Sequence, residues 1–149
     1  MLLIAIDKYQ NQTKLASCVK DVKDFKDTLL QKYDFEEGNV CELYDEKATN
    51  KNIQDIFKKY VTTLTDESNL IIYFSGHGGL DNTMNRGFWV PVEGNKDYTT
   101  WIPNETVQTF IQQIQAKHIF VISDCCFSWS LLIQNGTKSI SDYYSFPSR

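Results

Sequence analysis

Leu70 to Phe74 and Ile119 to Ser123 are short runs rich in β-branched and aromatic residues and free of charge. A strand with one face in water alternates polar and apolar side chains, and these two do not. Both of their faces must be covered, which is the condition of a strand inside a parallel sheet with helices on either side. Leu2 to Ile6 is a run of the same kind. It is closed by Asp7-Lys8 and lacks the basic preface and cleavage pattern of a secretion signal, so it reads as a first strand. Val40 to Tyr44 reads as a second strand.

Between these runs the period changes. Val19, Val22, Phe25 and Leu29 recur at steps of three and four, which predicts an amphipathic helix ending near Tyr33. Thr49 is placed to cap a second helix with the apolar stripe Ile53, Ile56, Phe57, Tyr60 and Val61. Pro103 suits the first turn of a third, with Val107, Phe110, Ile111 and Ile114 inward. The stretch from Gly78 to Tyr98 is rich in Gly, Asn and Asp, and reads as a long loop carrying a hairpin or extended segment at Phe88 to Val92. The resulting order, β-α-β-α-β-loop-α-β, predicts an α/β fold: a three-layer α/β/α sandwich around a mostly parallel central sheet.

At 149 residues, 42% of them hydrophobic, the chain suits one domain over residues 1–149. A net charge of -4, with lysines scattered among acids, argues against a nucleic-acid surface. No apolar run approaches the length that crosses a bilayer, so the expectation is a soluble, cytoplasmic protein without membrane partners. Cys18, Cys41, Cys125 and Cys126 show no metal-type spacing, and a bridge between the vicinal pair would be strained, so all four are expected as reduced thiols.

Parallel strands bring their carboxyl ends to one edge, where reacting groups of open α/β sheets collect. Tyr73-Phe74-Ser75-Gly76-His77-Gly78 closes one run and Ser123-Asp124-Cys125-Cys126-Phe127-Ser128 closes another, so a histidine and a cysteine arrive at that edge together. Their pairing points to a cysteine nucleophile with a histidine base: imidazole draws the proton from a thiol that is otherwise mostly un-ionised at neutral pH, and later returns it to the leaving amine. The backbone N–H groups of Gly78 and Cys126 are the candidate oxyanion donors. Alternation along an extended segment sets Asp124 and Cys126 on one face and Cys125 on the other, which favours Cys126 as the nucleophile. The same rule places Ser75 with His77, and Ser75 and Asp124 become candidate floor residues of an acidic pocket that prefers a basic side chain. His118, at the start of a strand, reads as structural or solvated, and Cys41 as a small core residue. Asn11-Gln12-Thr13 matches a glycosylation acceptor by chance alone in a cytosolic chain.

These residues resemble the caspase-like clan of cysteine peptidases, whose histidine lies about fifty residues before the cysteine. The resemblance runs through Leu2 to Tyr9, Leu15 to Asp21, Leu43 to Thr49 and, most specifically, Tyr73 to Gly78. Asp124-Cys125-Cys126-Phe127-Ser128 is closer to the Asp-x-Cys-x-Ser-Gly of metacaspases and bacterial relatives than to the Gln-Ala-Cys of animal caspases. The resemblance implies a caspase-like fold, Cys126 as nucleophile, His77 as base, and Asp21, Ser75 and Asp124 with Cys18 as a pocket for basic residues. It thereby implies cleavage of protein substrates after Arg or Lys.

Two departures stand beside it. Trp129 occupies the position of the motif's glycine, and Asp81, Glu93 and Asp97 do not reproduce the acidic cluster that binds calcium in some metacaspases. The expectation is therefore no cofactor, and calcium dependence has no matched site behind it. Family members continue into a small-subunit segment, so the chain reads as a large-subunit portion. A separate small-subunit chain or C-terminal segment would pair its open sheet edge, and a regulatory sensor is a further expected partner. An end at Arg149 fits autoprocessing after a basic residue. Two functions are in play: an Arg/Lys-specific endopeptidase of bacterial defence or regulated cell death, and a catalytically silent caspase-like scaffold.

Overall fold

The computed structural model describes residues 1–126, so the expectations attached to Ser128, Trp129 and Arg149 lie outside the described residues. Four strands, β1 (Leu2–Ala5), β2 (Cys41–Tyr44), β3 (Asn69–Ser75) and β7 (His118–Asp124), form a sheet in the order β2-β1-β3-β7. Every neighbouring pair in it is parallel. Helices α1 (Cys18–Lys32), α2 (Asn50–Thr63) and α3 (Asn104–Gln113) supply the outer layers. A second, antiparallel sheet of β4 (Gly78–Asp81), β5 (Arg86–Trp89) and β6 (Ile102–Pro103) follows directly on β3.

Strand alternation divides the core in two. Leu2, Ile4, Leu70, Ile72 and Phe74 point to the face covered by Ile53 and Phe57 of α2 and Val107 of α3. Leu3 and Ala5 point to the opposite face, against Val22 of α1, with Val19, Phe25, Ile71 and Tyr73 partly buried around them. This is the predicted three-layer sandwich: β1 is buried on both faces and β3 largely so, as their charge-free runs require, whereas in the run of β7 Val121 is buried, Ile119, Ile122 and Ser123 are half-buried and Phe120 is exposed. Phe57 stacks on Phe110 at 5.3 Å between α2 and α3, and Phe74 stacks on Trp89 at 4.4 Å, which fastens the small sheet to the large one.

Thr49 caps α2 as predicted, its hydroxyl accepting the Asn52 N–H at 3.1 Å. The cap of α1 comes from a distance: Asp7, just past β1, accepts the N–H of Cys18 at 2.9 Å and of Val19 at 3.3 Å, a carboxylate placed on the positive end of the helix. Pro103 differs from its expected place in the first turn of α3. It pairs with Phe88 in the short edge strand β6 with extended backbone, so the helix begins one residue later. The glycine-rich stretch after β3 is more ordered than a long loop, since β4 starts at Gly78 and pairs with β5 through a turn at residues 82–85. No helix among the described residues is long and apolar enough to cross a membrane.

Candidate active site

The chain runs from β1 through α1 to β2, then crosses back over β1 to reach β3. The connections from the neighbouring strands β1 and β3 thus leave in opposite directions, toward β2 and β7, and the crevice outside the carboxyl ends at such a switch point is where ligands sit in open α/β sheets. Three segments leave the sheet there: residues 6–17 after β1, Gly76-His77 after β3, and Cys125-Cys126 after β7.

His77 is held on several sides. Its Nε2 lies 2.7 Å from the carbonyl oxygen of Thr13. A carbonyl can only accept, so Nε2 carries the proton and Nδ1 of the neutral ring keeps a free lone pair. The His77 main-chain N–H donates to the Tyr9 hydroxyl at 2.7 Å, and the Tyr9 ring lies against the imidazole with centroids 4.7 Å apart. Thr13 is carried on a loop tied down along its length: Gln10 N–H donates to Val92 O, Asn11 Nδ2 to Glu93 O, Gln12 Nε2 to Asn95 O, and Leu15 N–H to Asp7 O.

The cysteine turn meets the histidine segment through backbone. A Cβ on Gly78 would fall on the carbonyl oxygen of Cys126 and come within 3.1 Å of the Cys125 sulfur, so glycine is required for the approach. Gly76 N–H donates to Asp124 O at 3.3 Å in the same junction. The strand ends at Asp124, so the alternation expected to extend to Cys126 gives way to a turn. Cys126 is exposed, whereas Cys125 packs against the core with its sulfur 3.3 Å from the Ser123 hydroxyl, which in turn accepts the Trp89 indole N–H at 3.0 Å. Burial pushes the Cys125 thiol up to about 12.

Beside this pair lies an acidic corner. Ser75, 1% exposed, donates its hydroxyl to Asp124 at 3.4 Å, as their facing register in β3 and β7 requires. Cys18, the first residue of α1, reaches the same Ser75. Burial pushes its thiol up to about 11, the Ser75 hydrogen bond opposes that, and Asp7 and Asp124 add to it. Tyr73 is raised to about 12, first by burial and then by Asp124, Asp21 and Cys18. The structure therefore brings Cys18, Ser75 and Asp124 together, with exposed Asp21 in the first turn of α1 contributing to the same negative field.

The remaining candidates lie elsewhere. His118 is exposed at the amino end of β7. Cys41 is half-buried and packs on the margin of the core, and with Lys59 and Tyr60 of α2 it lines a cavity of about 760 Å3 at the opposite, amino-terminal end of the sheet. Among the described residues no cluster of three His, Cys, Asp or Glu is arranged to hold a metal. Asp81, Glu93 and Asp97 each spend an oxygen on main-chain N–H groups, of Thr83, Asn50 and Thr99 respectively. Tyr9 and the Thr13 carbonyl escaped sequence reasoning. A main-chain oxygen has no residue-type signal, and the hint to Tyr9 was its place in the Leu2 to Tyr9 segment that carries the resemblance, four residues past the end of β1.

The Caspase domain family model matches residues 1–143. The chain belongs to the caspase-domain family. Metacaspase-6 of Arabidopsis thaliana is 33% identical over 82 residues, covering 52% of this chain and 22% of that protein. Metacaspase-7 of the same plant is 26% identical over 145 residues, 88% of this chain and 35% of its own length. Metacaspase-1 of Eremothecium gossypii is 30% identical over 84 residues, with 52% and 19% covered. This caspase domain thus spans about a third or less of these curated relatives. A crystal structure of a Geobacter sulfurreducens protein superposes with a TM-score of 0.68 at 19% identity, over 84% of this chain and 49% of that one, and shares the fold.

Proposed function

We propose that the chain carries a cysteine endopeptidase site in which Cys126 is the nucleophile, His77 the base, and Cys18, Asp21, Ser75 and Asp124 the pocket for an Arg or Lys side chain. The observation that supports this best is the state of His77: with Nε2–H committed to the Thr13 carbonyl, Nδ1 is the ring atom left to take a proton. In the proposed reaction the Cys126 thiol passes its proton to Nδ1, and the thiolate adds to the scissile carbonyl carbon. The oxyanion is met by the N–H groups of Gly78 and Cys126. Gly78 suits that role because Val90 N–H bonds His77 O, which makes the next pair, Gly78 with Trp89, the one without ladder bonds and leaves its N–H directed away from β5. Collapse of the adduct breaks the C–N bond as His77 protonates the departing amine. Water then gives His77 a proton as it attacks the thioester, and the acid leaves as sulfur recovers its proton.

The same reading holds that the protein works in the cytoplasm in bacterial defence or regulated cell death, that it processes its own chain after a basic residue, and that a further segment or subunit pairs with β7. All of the groups invoked are protein groups, so turnover is expected to persist in EDTA. A peptide ending in Arg coupled to a fluorophore tests the core of it. Activity should vanish in Cys126→Ala and His77→Ala, persist in Cys125→Ala, and fall at least tenfold in kcat/KM for Arg in Asp124→Asn. Turnover surviving Cys126→Ala overturns the nucleophile assignment, and a folded wild-type protein with no turnover favours the silent scaffold. Mass spectrometry of the protein from cells reads the processing, and an uncut chain rejects it.

A further inference from the structure

In a regular antiparallel pair, two facing residues exchange both hydrogen bonds: each N–H donates to the other's carbonyl. His77 and Val90 make only half of that exchange. Val90 N–H donates to His77 O at 3.0 Å, but His77 N–H goes to the Tyr9 hydroxyl at 2.7 Å, and the hydroxyl passes its own proton to Val90 O at 3.2 Å. A phenol from the β1 loop is thus inserted into the ladder where β3 hands over to the small sheet. Tyr9 is 3% exposed, and burial raises its hydroxyl far above the usual phenol value, so it stays protonated and serves as a fixed relay. Room for it is made by residue 76, where a Cβ would stand 2.5 Å from the Tyr9 oxygen.

We infer that Tyr9 is a positioning residue for His77: its hydroxyl sets the main chain at residue 77 and its ring sets the imidazole plane, which together keep Nε2 on the Thr13 carbonyl and Nδ1 free at the reactive edge. The inference rests on reading His77 as the base, but its geometry is measurable without any turnover. Tyr9→Phe keeps the ring contact and removes the relay, leaving a buried N–H without its acceptor and the ring free to turn. Misplacing a reacting group by about 1 Å costs up to about a hundredfold in rate, so kcat for the Arg peptide should fall roughly 10- to 100-fold with KM within about twofold.

The decisive measurement is nitrogen-15 NMR of the histidine rings in the full chain, which has two histidines, the exposed His118 serving as internal reference. The wild type should show His77 as a single Nε2–H tautomer, and Tyr9→Phe a mixture. Gly76→Ala, which keeps the phenol but drives its oxygen off, should give the same mixture and stands in if Tyr9→Phe does not fold. Phe57→Ala, which loosens the core far from the site, should lower stability and leave the tautomer alone. A single Nε2–H tautomer retained in a folded Tyr9→Phe or Gly76→Ala protein overturns the inference, whatever the activity. A tautomer change in a protein that never cleaves peptides upholds it while the peptidase reading fails separately.

Discussion

At the scale of single residues, the four cysteines separate by environment rather than by type. Cys126 is exposed in a turn, whereas Cys18 and Cys125 sit where burial penalises the thiolate and raises their thiols to about 11 and about 12. Brief iodoacetamide treatment near pH 8 should therefore label Cys126 first, with Cys18 and Cys125 protected until the protein unfolds; peptide mapping reads the order, and early labelling of Cys125 would contradict it. The sign of the pH effect on stability follows from the same two thiols. Their folded values lie above the unfolded one, so their contribution is intact below pH about 9 and is lost as pH rises through the folded values, because the unfolded chain gives up these protons first. That His77 and Cys126 arrive at the same end of the sheet was legible from their places just past two strand ends, while the facing of Ser75 and Asp124 comes from the pairing of β3 with β7, which alternation alone does not give. Tyr9 and Thr13 were not legible, because what they contribute is a hydroxyl inserted into a ladder and a main-chain oxygen, and neither leaves a pattern in sequence.

At the scale of elements, strands and helices were legible wherever a period was forced by burial, and the joints between them were not. α2 announced its start through Thr49, while α1 takes its cap from Asp7 across the β1 turn, a contact that spacing alone does not reveal. The two glycines that flank His77 have separate tasks at this joint: Gly76 admits the Tyr9 hydroxyl and Gly78 admits the Cys126 carbonyl. Gly78→Ala sets a methyl on a backbone oxygen that cannot swing aside, so the β3 end and the cysteine turn must separate. Activity toward the Arg peptide should drop by about a hundredfold or more, and thermal unfolding should show a loss in the range of about 1–3 kcal/mol typical of forced overpacking. Near wild-type turnover in Gly78→Ala would mean that the two segments need not touch for the reaction.

For the whole molecule, the covered runs dictated a parallel sheet between helices, but the order β2-β1-β3-β7 depends on long-range pairing that each strand's own sequence leaves open. That order explains why groups distant in sequence meet at one end of the sheet, since the segments after β1, β3 and β7 all leave the strands at their carboxyl ends. It also makes β7 an edge strand among the described residues, with β3 on one side only. Phe120, 36% exposed, and the half-buried Ile119 and Ile122 lie along its middle, and the one acid in it, exposed Asp124, stands at its carboxyl end, so the centre of the strand lacks the charges that usually guard a free edge. Central strands of this composition are built to be paired, so β7 should recruit another strand. The 149-residue chain is accordingly expected to self-associate as its concentration rises, and Phe120→Lys, which puts a charge on that strand while leaving the β3 ladder intact, should shift it toward monomer. Light scattering coupled to size exclusion reads the change. A wild-type chain that stays monomeric at high concentration would show the edge already occupied, and self-association that persists unchanged in the Phe120→Lys variant would place the contact on another surface.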